Sequence, residues 1–241
     1  MPNYSVTILA IETATSSCSV ALSHGDQVFQ RAQVGSNVHS QVLLTMVQAV
    51  LAQASLVPGD VDAVAVGQGP GSFTGLRIGV GVAQGLAYGV NCPMIGVSSL
   101  DALAHQANVD GHVIAAIDAR MGEIYCCQYR NVAGQLERLG ELEVLKPAAV
   151  NTTKNHSADV FLVGNAWSEY WQQFDLELLQ HATHLEQIVY PSAVSILHLA
   201  QAKYQAKDTV SAADFAPEYV RNDVAKKAVA KKAVTKKKTR K

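Results

Sequence analysis

Two short patterns occur twice in this chain, in the same order, and they limit the folds open to it. Ala10-Ile11-Glu12 returns as Ala116-Ile117-Asp118, and each ends an apolar run with a carboxylate. Asp62-Ala63-Val64-Ala65-Val66-Gly67 returns as Asp159-Val160-Phe161-Leu162-Val163-Gly164, terminal glycine included. A chain that repeats two strands at the same relative places folds as two similar units. In the first unit, residues 6–12, 17–23 and 27–33 read as short strands joined by turn-forming links at 13–16 and 24–26. Links that short imply an antiparallel meander. A helix is predicted over 38–54, with Val38, Val42, Met46 and Val50 about one turn apart. A strand at 62–66, a helix from about 73 to 88 and a strand at 94–97 complete the unit.

Three strands followed by helix, strand, helix, strand is the order of a ribonuclease H-like lobe. The second unit offers strands at 122–130 and 136–145, a helix near 147–153, a strand at 159–163 and a helix over 193–205. Two such lobes face to face make an α/β protein of the ASKHA (actin-like ATPase) fold. The predicted division is a first lobe at 1–100, a second at 101–223 and a basic tail at 224–241.

Composition fits that plan. A hydrophobic fraction of 49% over 241 residues supplies a substantial core. No apolar run reaches the roughly 18 residues needed to cross a bilayer. The N-terminal stretch has no basic region ahead of its apolar run, so the sequence predicts a cytoplasmic protein without a secretory signal. Cys18, Cys92, Cys126 and Cys127 show no Cys-x-x-Cys spacing. They read as reduced thiols, and the adjacent pair points to opposite faces of a strand. The net charge of −1 hides a split chain. Residues 224–241 hold nine of the nineteen basic residues and no acid, which leaves 1–223 at −10.

Residues 61–81 carry the most specific wording. The strand ends in Gly67, Gly69, Pro70 and Gly71, and Ser72 or Thr74 can cap the helix that follows. Such a turn gathers free backbone N–H groups, which suits a phosphate or a close-packed neighbour. Gly67-Gln68-Gly69-Pro70-Gly71-Ser72-Phe73-Thr74-Gly75-Leu76-Arg77-Ile78-Gly79 closely resembles the signature of the TsaB (YeaZ) family. That family helps make the threonylcarbamoyl modification of adenosine in tRNA. Glu218-Tyr219-Val220-Arg221 resembles its C-terminal signature, so the resemblance spans 6–227 and is loosest between 130 and 210.

An ATPase of this fold needs cleft carboxylates and glycine turns from both lobes. The candidate nucleotide contacts are Glu12, Gly69, Gly71 and Asp118. The motifs around them are incomplete. Glu12-Thr13-Ala14-Thr15 lacks the glycine of an Asp-x-Gly-Thr hairpin, Gly164-Asn165-Ala166-Trp167 has a single glycine, and no Gly-Lys-Ser or Gly-Lys-Thr occurs. The catalytic paralogue TsaD binds metal through His-x-x-x-His, and Ser99 and Leu103 stand at the matching positions here. Serine is a weak ligand and leucine is none. His181, His184 and Glu186 form no complete ligand set, and no Gly-x-Ser-x-Gly supports a hydrolase.

Two readings follow. In one, the chain is a non-catalytic accessory subunit that dimerises with TsaD and supports threonylcarbamoyl transfer to tRNA adenosine 37. In the other, it is an autonomous ATP-dependent enzyme using Glu12 and Asp118. The first implies no cofactor in the isolated chain, with ATP or ADP bound in an assembled complex that includes a TsaE-type ATPase. Glycines at 75, 79, 81, 85 and 89 each cost a helix about 1 kcal/mol against alanine and call for close approach by a neighbour, either within the chain's own lobe or in a partner subunit. The resemblance implies that this helix and helix 38–54 bundle with a TsaD-type subunit, or with a second copy in a homodimer. The interface candidates are Val38, Val42, Met46, Val50, Gly81, Gly85 and Gly89.

The tail, 225–241, repeats Ala-Lys-Lys-Ala-Val at a step of five, which never aligns the valines on one helix face. It reads as a disordered extension that attracts RNA through its charge, or only as a solubilising one.

Overall fold

A computed structural model describes residues 4–35, 38–151, 159–218 and 220. The tail lies outside these residues. The first lobe holds strands β1 (Tyr4–Glu12), β2 (Ser17–Gly25) and β3 (Gln27–Val34), helix α1 (His39–Gln53), β4 (Ala63–Gly69), α2 (Phe73–Val90) and β5 (Met94–Ser98). Its sheet order is β3-β2-β1-β4-β5, antiparallel at β1–β2 and β2–β3 and parallel at β1–β4 and β4–β5. Helix α3 (Ser99–His105) leads to the second lobe, with β6 (Gly111–Asp118), β7 (Ile124–Val132), β8 (Gln135–Arg138), β9 (Glu143–Leu145), β10 (Val160–Val163), α4 (Asn165–Tyr170), α5 (Leu176–His181) and β11 (Ala182–His184). Helix α6 (Ala193–Gln205) follows. The second sheet runs β11-β10-β6-β7-β8, and β9 also pairs with β7. With the short β9 left out of the count, because it lies off the main path of its sheet, both sheets have the strand order 3-2-1-4-5 within their lobes, so the repeat seen in the sequence is a repeat of topology.

Strands β1 and β4 are apolar on both faces because both faces are covered. Leu9, Ile11, Val64 and Val66 pack under α1 and α2, while Ile8, Ala10, Ala63 and Ala65 pack against α6. The alanines let α6 lie close to the sheet. Helix α3 supplies Leu100, Leu103 and Ala104 to the facing side of the second sheet. The far side of that sheet is closed by Ala166, Trp167, Phe174 and Leu178. The layers are therefore α1 and α2, first sheet, α3 and α6, second sheet, α4 and α5.

The linear division at residue 100 differs from the packing. Helix α6 contributes Ile196 and Leu197, both fully buried, to the first lobe's core. Beyond it, Val210 bridges to Met94 and Phe215 joins the cluster under α1 and α2. Apolar residues on α6 find uncovered alanine-rich surface on the first sheet, and burying each Leu or Ile contributes about 1.5–3 kcal/mol. Two smaller differences are local. The strand expected over 136–145 is split into β8 and β9, and the helix near 147–153 is a 3-10 turn at Pro147–Ala149, with 152–158 outside the described residues.

Candidate functional site

Between the lobes lies a cleft of about 500 Å³. The β1–β2 turn (Ala14, Thr15, Ser16), the first turns of α1 and α2, the β6–β7 turn, Asn165 and the segment holding Glu218 and Val220 line it. Glycines bring these parts together. A Cβ on Gly71 would overlap the Ala14 carbonyl, which accepts the Ser72 N–H at 2.7 Å. Gly75 and Gly79 lie against the Thr13 carbonyl and hydroxyl, and the Thr13 hydroxyl donates to the Gly75 carbonyl at 2.9 Å. The Gly loop thus uses its open backbone chiefly to dock on the β1–β2 turn. Ser72 caps α2, its Oγ accepting from the Gly75 N–H at 3.3 Å.

The predicted nucleotide contacts separate. Gly71 and Asp118 line the cleft. Gly69 does not; it adopts φ +113° against Leu76 and the Glu218 carbonyl. Glu12 is a correction. Its side chain is sealed at 0% exposure, and its oxygens accept from the Ala14 N–H (2.5 Å) and the Ser99 hydroxyl (2.8 Å). The carboxyl fills the place where Gly67 would carry a Cβ. Burial raises its pKa above the ordinary carboxylate value, against the opposing hydrogen bonds from Ala14, Ser99 and Thr13. A carboxyl turned into the core cannot organise a ligand in the cleft. The nearby Cys18 thiol is pushed up to about 11 by burial and by the Glu12 charge.

Asp118 is committed to its own turn. One oxygen accepts from the Tyr170 hydroxyl (2.8 Å) and the Arg120 N–H (2.7 Å), and the other pairs with the Arg120 guanidinium at 3.2 Å. Its N–H donates to Asn165 Oδ1 at 3.1 Å. These bonds hold Arg120, Met121 and Gly122, three consecutive residues at positive φ, at the lip of the cleft. Tyr170 escaped the sequence reading, and Asn165 was read only as part of the second lobe's glycine turn, because both stand some fifty residues from Asp118. The aspartate followed two residues later by arginine, ahead of a glycine, was the available local signal.

Trp167 does not crowd the glycine turn beside it. It is buried on Phe174, ring centroids 4.2 Å apart, and its indole N–H donates to the Val163 carbonyl at 3.0 Å. At the positions that would hold metal in TsaD, Ser99 is bonded to Glu12 and Leu103 packs in the core. Among the described residues, no group of three or more His, Cys, Asp or Glu could hold a metal ion. No described helix is long and apolar enough to cross a membrane.

The helix candidates also divide. Val50 has 0% exposure and Met46 only 8%, both inside the first lobe's core, so neither offers surface to a partner. Val42 is half-buried against the same core. Gly81, Gly85 and Gly89 are exposed with open space where a Cβ would stand. Phe73, Leu44 and Tyr88 are exposed apolar side chains on α2 and α1.

Two ribonuclease H-like lobes of matching strand order, with paired helices between their sheets and a cleft at the strand ends, define a protein of the ASKHA class. Residues 32–229 match the family model described as TsaD, tRNA N6-adenosine threonylcarbamoyltransferase. The chain is 38% identical over 234 residues to the Haemophilus influenzae tRNA threonylcarbamoyladenosine biosynthesis protein TsaB, covering 91% of this chain and 95% of that one. It is 39% identical over 226 residues to the Escherichia coli protein of the same name, covering 90% and 96%. The structure of YeaZ from Pseudomonas aeruginosa superposes with a TM-score of 0.82 at 37% identity, over 89% of this chain and all of that one. The chain belongs to the TsaB (YeaZ) family.

Proposed function

We propose that this chain works in tRNA threonylcarbamoyladenosine biosynthesis as a non-catalytic subunit that pairs with a TsaD-type transferase. The observation that carries the reading is the state of the cleft carboxylates. Glu12 is sealed in the core and Asp118 is bonded to Tyr170 and Arg120, so neither is poised to organise a nucleotide or a metal. The reading of an autonomous ATPase built on Glu12 and Asp118 loses its first residue to burial. The relatives' names supply the pathway.

The partner surface in this reading is the outer face of α1 and α2. Gly81, Gly85 and Gly89 recur every fourth residue, which places them along one helix face, and Tyr88 on α2 and Leu44 on α1 are exposed apolar side chains. A second helix can approach closely where no Cβ intervenes. A TsaD-type subunit is the proposed occupant, a second copy takes its place in the free protein, and a TsaE-type ATPase joins the pair with ATP or ADP. The test is reconstitution of tRNA modification from TsaC-, TsaD- and TsaE-type proteins with and without this chain. Modification that requires the chain, while the chain alone turns over no ATP, is the expected result. Modification unaffected by its omission would refute the reading. Gly85→Trp and Leu44→Asp, both at exposed positions, are expected to keep the thermal melt and to lose co-elution with the TsaD-type subunit.

A further inference from the structure

We propose that the helix pair between the two lobes is an acid-sensitive latch: His105 on α3 and His198 on α6 keep the lobes packed together while neutral and loosen that packing when both take up protons. Each helix is fixed to a different sheet. Asp101 of α3 accepts from the Tyr129 hydroxyl at 2.8 Å and from Arg138 Nη2 at 2.6 Å, and Leu100, Leu103 and Ala104 pack with the second sheet. Helix α6 belongs to the first sheet: its Ala193 N–H donates to Ser19 Oγ at 3.0 Å, and Ile196, Leu197 and Ala200 pack on the β1 and β4 alanines. The contact between α3 and α6 is therefore a seam between the lobes. Ala102 crosses it to join the α6 cluster, and Gln106 Nε2 donates across to the Tyr190 carbonyl at 3.0 Å. Ser99, the first residue of α3, is bonded to Glu12 of β1, which pins that end of the helix to the first lobe. His105 is the last residue of α3, at the end where the seam can part.

There the two imidazoles meet, with ring centroids 5.6 Å apart and planes tilted by 59°. His105 is half-buried, and His198 keeps contact with solvent, so protons reach the pair. Burial holds the His105 imidazole below its ordinary value of 6.5, and the nearby His198 lowers it further; burial also lowers His198. On the sides turned to α3 and α6, strands β2 to β6 carry no titratable side chain, β1 carries Glu12, and β7 carries Tyr125, Cys127 and Tyr129. Burial raises all three β7 groups, so they stay neutral in acid. Glu12 is bonded to Ala14 and Ser99, and Asp101 to Tyr129 and Arg138. On α6, Lys203 pairs with Asp208 and Tyr204 packs in the first lobe's cluster, while Glu186, ahead of the helix, acts on His184.

Once the helices separate, each imidazole titrates near 6.5. Between that value and the lower native ones, opening takes up protons. The packed seam is thus fully favoured above pH 6.5 and loses ground as pH falls through the native values. Each linked proton raises the opening constant by up to about tenfold per pH unit, and the two together by up to about a hundredfold. The latch is independent of the accessory role, since it concerns the lobes of this chain alone.

The test uses the full chain, with His198→Gln as the first variant because that position is exposed. NMR titration of the imidazoles reads the coupling. Replacing His198 is expected to move the His105 titration up toward 6.5; an unmoved His105 overturns the latch. His105→Gln reads His198 in the same way should the first variant fail to fold at pH 8. Opening is read by hydrogen exchange of peptides covering α3 and α6 at pH 7.5 and 5.5, corrected for the pH dependence of intrinsic exchange. In the wild type, acid is expected to raise exchange in α3 and α6 while α1 and α2 stay protected. In either Gln variant, where one proton is linked, the rise is expected to be at least about tenfold smaller. An equal rise in wild type and variants overturns the proposal, and so does a rise spread evenly over all the helices.

Discussion

Replacing Glu12 by glutamine is expected to stabilise this protein, and by an amount that grows with pH. The carboxyl is fully enclosed, and burial holds its pKa above the ordinary value of 4.5. In the unfolded chain the group ionises near that ordinary value. Between the two pKa values folding must therefore take up a proton, and stability falls as pH rises. Below pH 4.5 the group is protonated in both states and contributes no slope. Above the native value it is ionised in both, and the slope ends. Within the window one proton is linked to folding, so the wild type loses up to about 1.4 kcal/mol per pH unit relative to the variant. Glutamine reproduces the protonated form: its oxygen accepts from the Ala14 N–H, and its amide donates to the Ser99 hydroxyl, which then serves as acceptor. Urea unfolding of both proteins from pH 4 to 8, with other carboxylates common to both, isolates the difference. The variant's advantage should be absent at pH 4 and rise with pH above 4.5. An advantage that is constant across the range, or a variant less stable throughout, would show that Glu12 is ionised in the native fold and would refute the reasoning.

The glycines of α2 divide into two classes that alanine should distinguish in thermal melts. Gly75→Ala and Gly79→Ala place a methyl on Thr13 and should cost about 1–3 kcal/mol, whereas Gly85→Ala meets open space and should gain about 1 kcal/mol; the reverse order would refute the packing account. Thiol titration of the native chain should modify only Cys92, with the other three exposed on unfolding. Cys18, Cys126 and Cys127 are buried, and burial, reinforced by the neighbouring Cys127 and Glu143 charges, pushes the Cys126 thiol up to about 12. Rapid reaction of two or more native thiols would contradict the burial.

Much of the fold was legible locally, because strand period, turn chemistry and helix caps are near-neighbour effects. The Gly-loop unit needed only its own wording: an apolar strand, glycines that admit close approach and Ser72 as cap. The doubled Ala-Ile-acid pattern announced two lobes, since each carboxylate ends a central strand. The candidate site was less legible. Val38, Val42, Met46 and Val50 share a helical stripe, but spacing says only that they lie together; that Val50 and Met46 face the first sheet depends on which side the sheet covers. Glu12 and Asp118 occupy equivalent places in the two lobes, yet Ser99 and Gly67 draw one inward while Tyr170 and Arg120 fix the other at the cleft.

By itself, then, the sequence determined the class of fold, the order of its elements, the family and the split between an acidic body and a basic tail. All of these reside in local pattern and charge. Only the tertiary structure decided that α6 and residues 208–217 return to the first lobe, that Glu12 is core and Asp118 is rim, and that Gly75 and Gly79 serve the lobe while Gly81, Gly85 and Gly89 face outward. Each depends on partners tens of residues away, whose identity no period or propensity encodes.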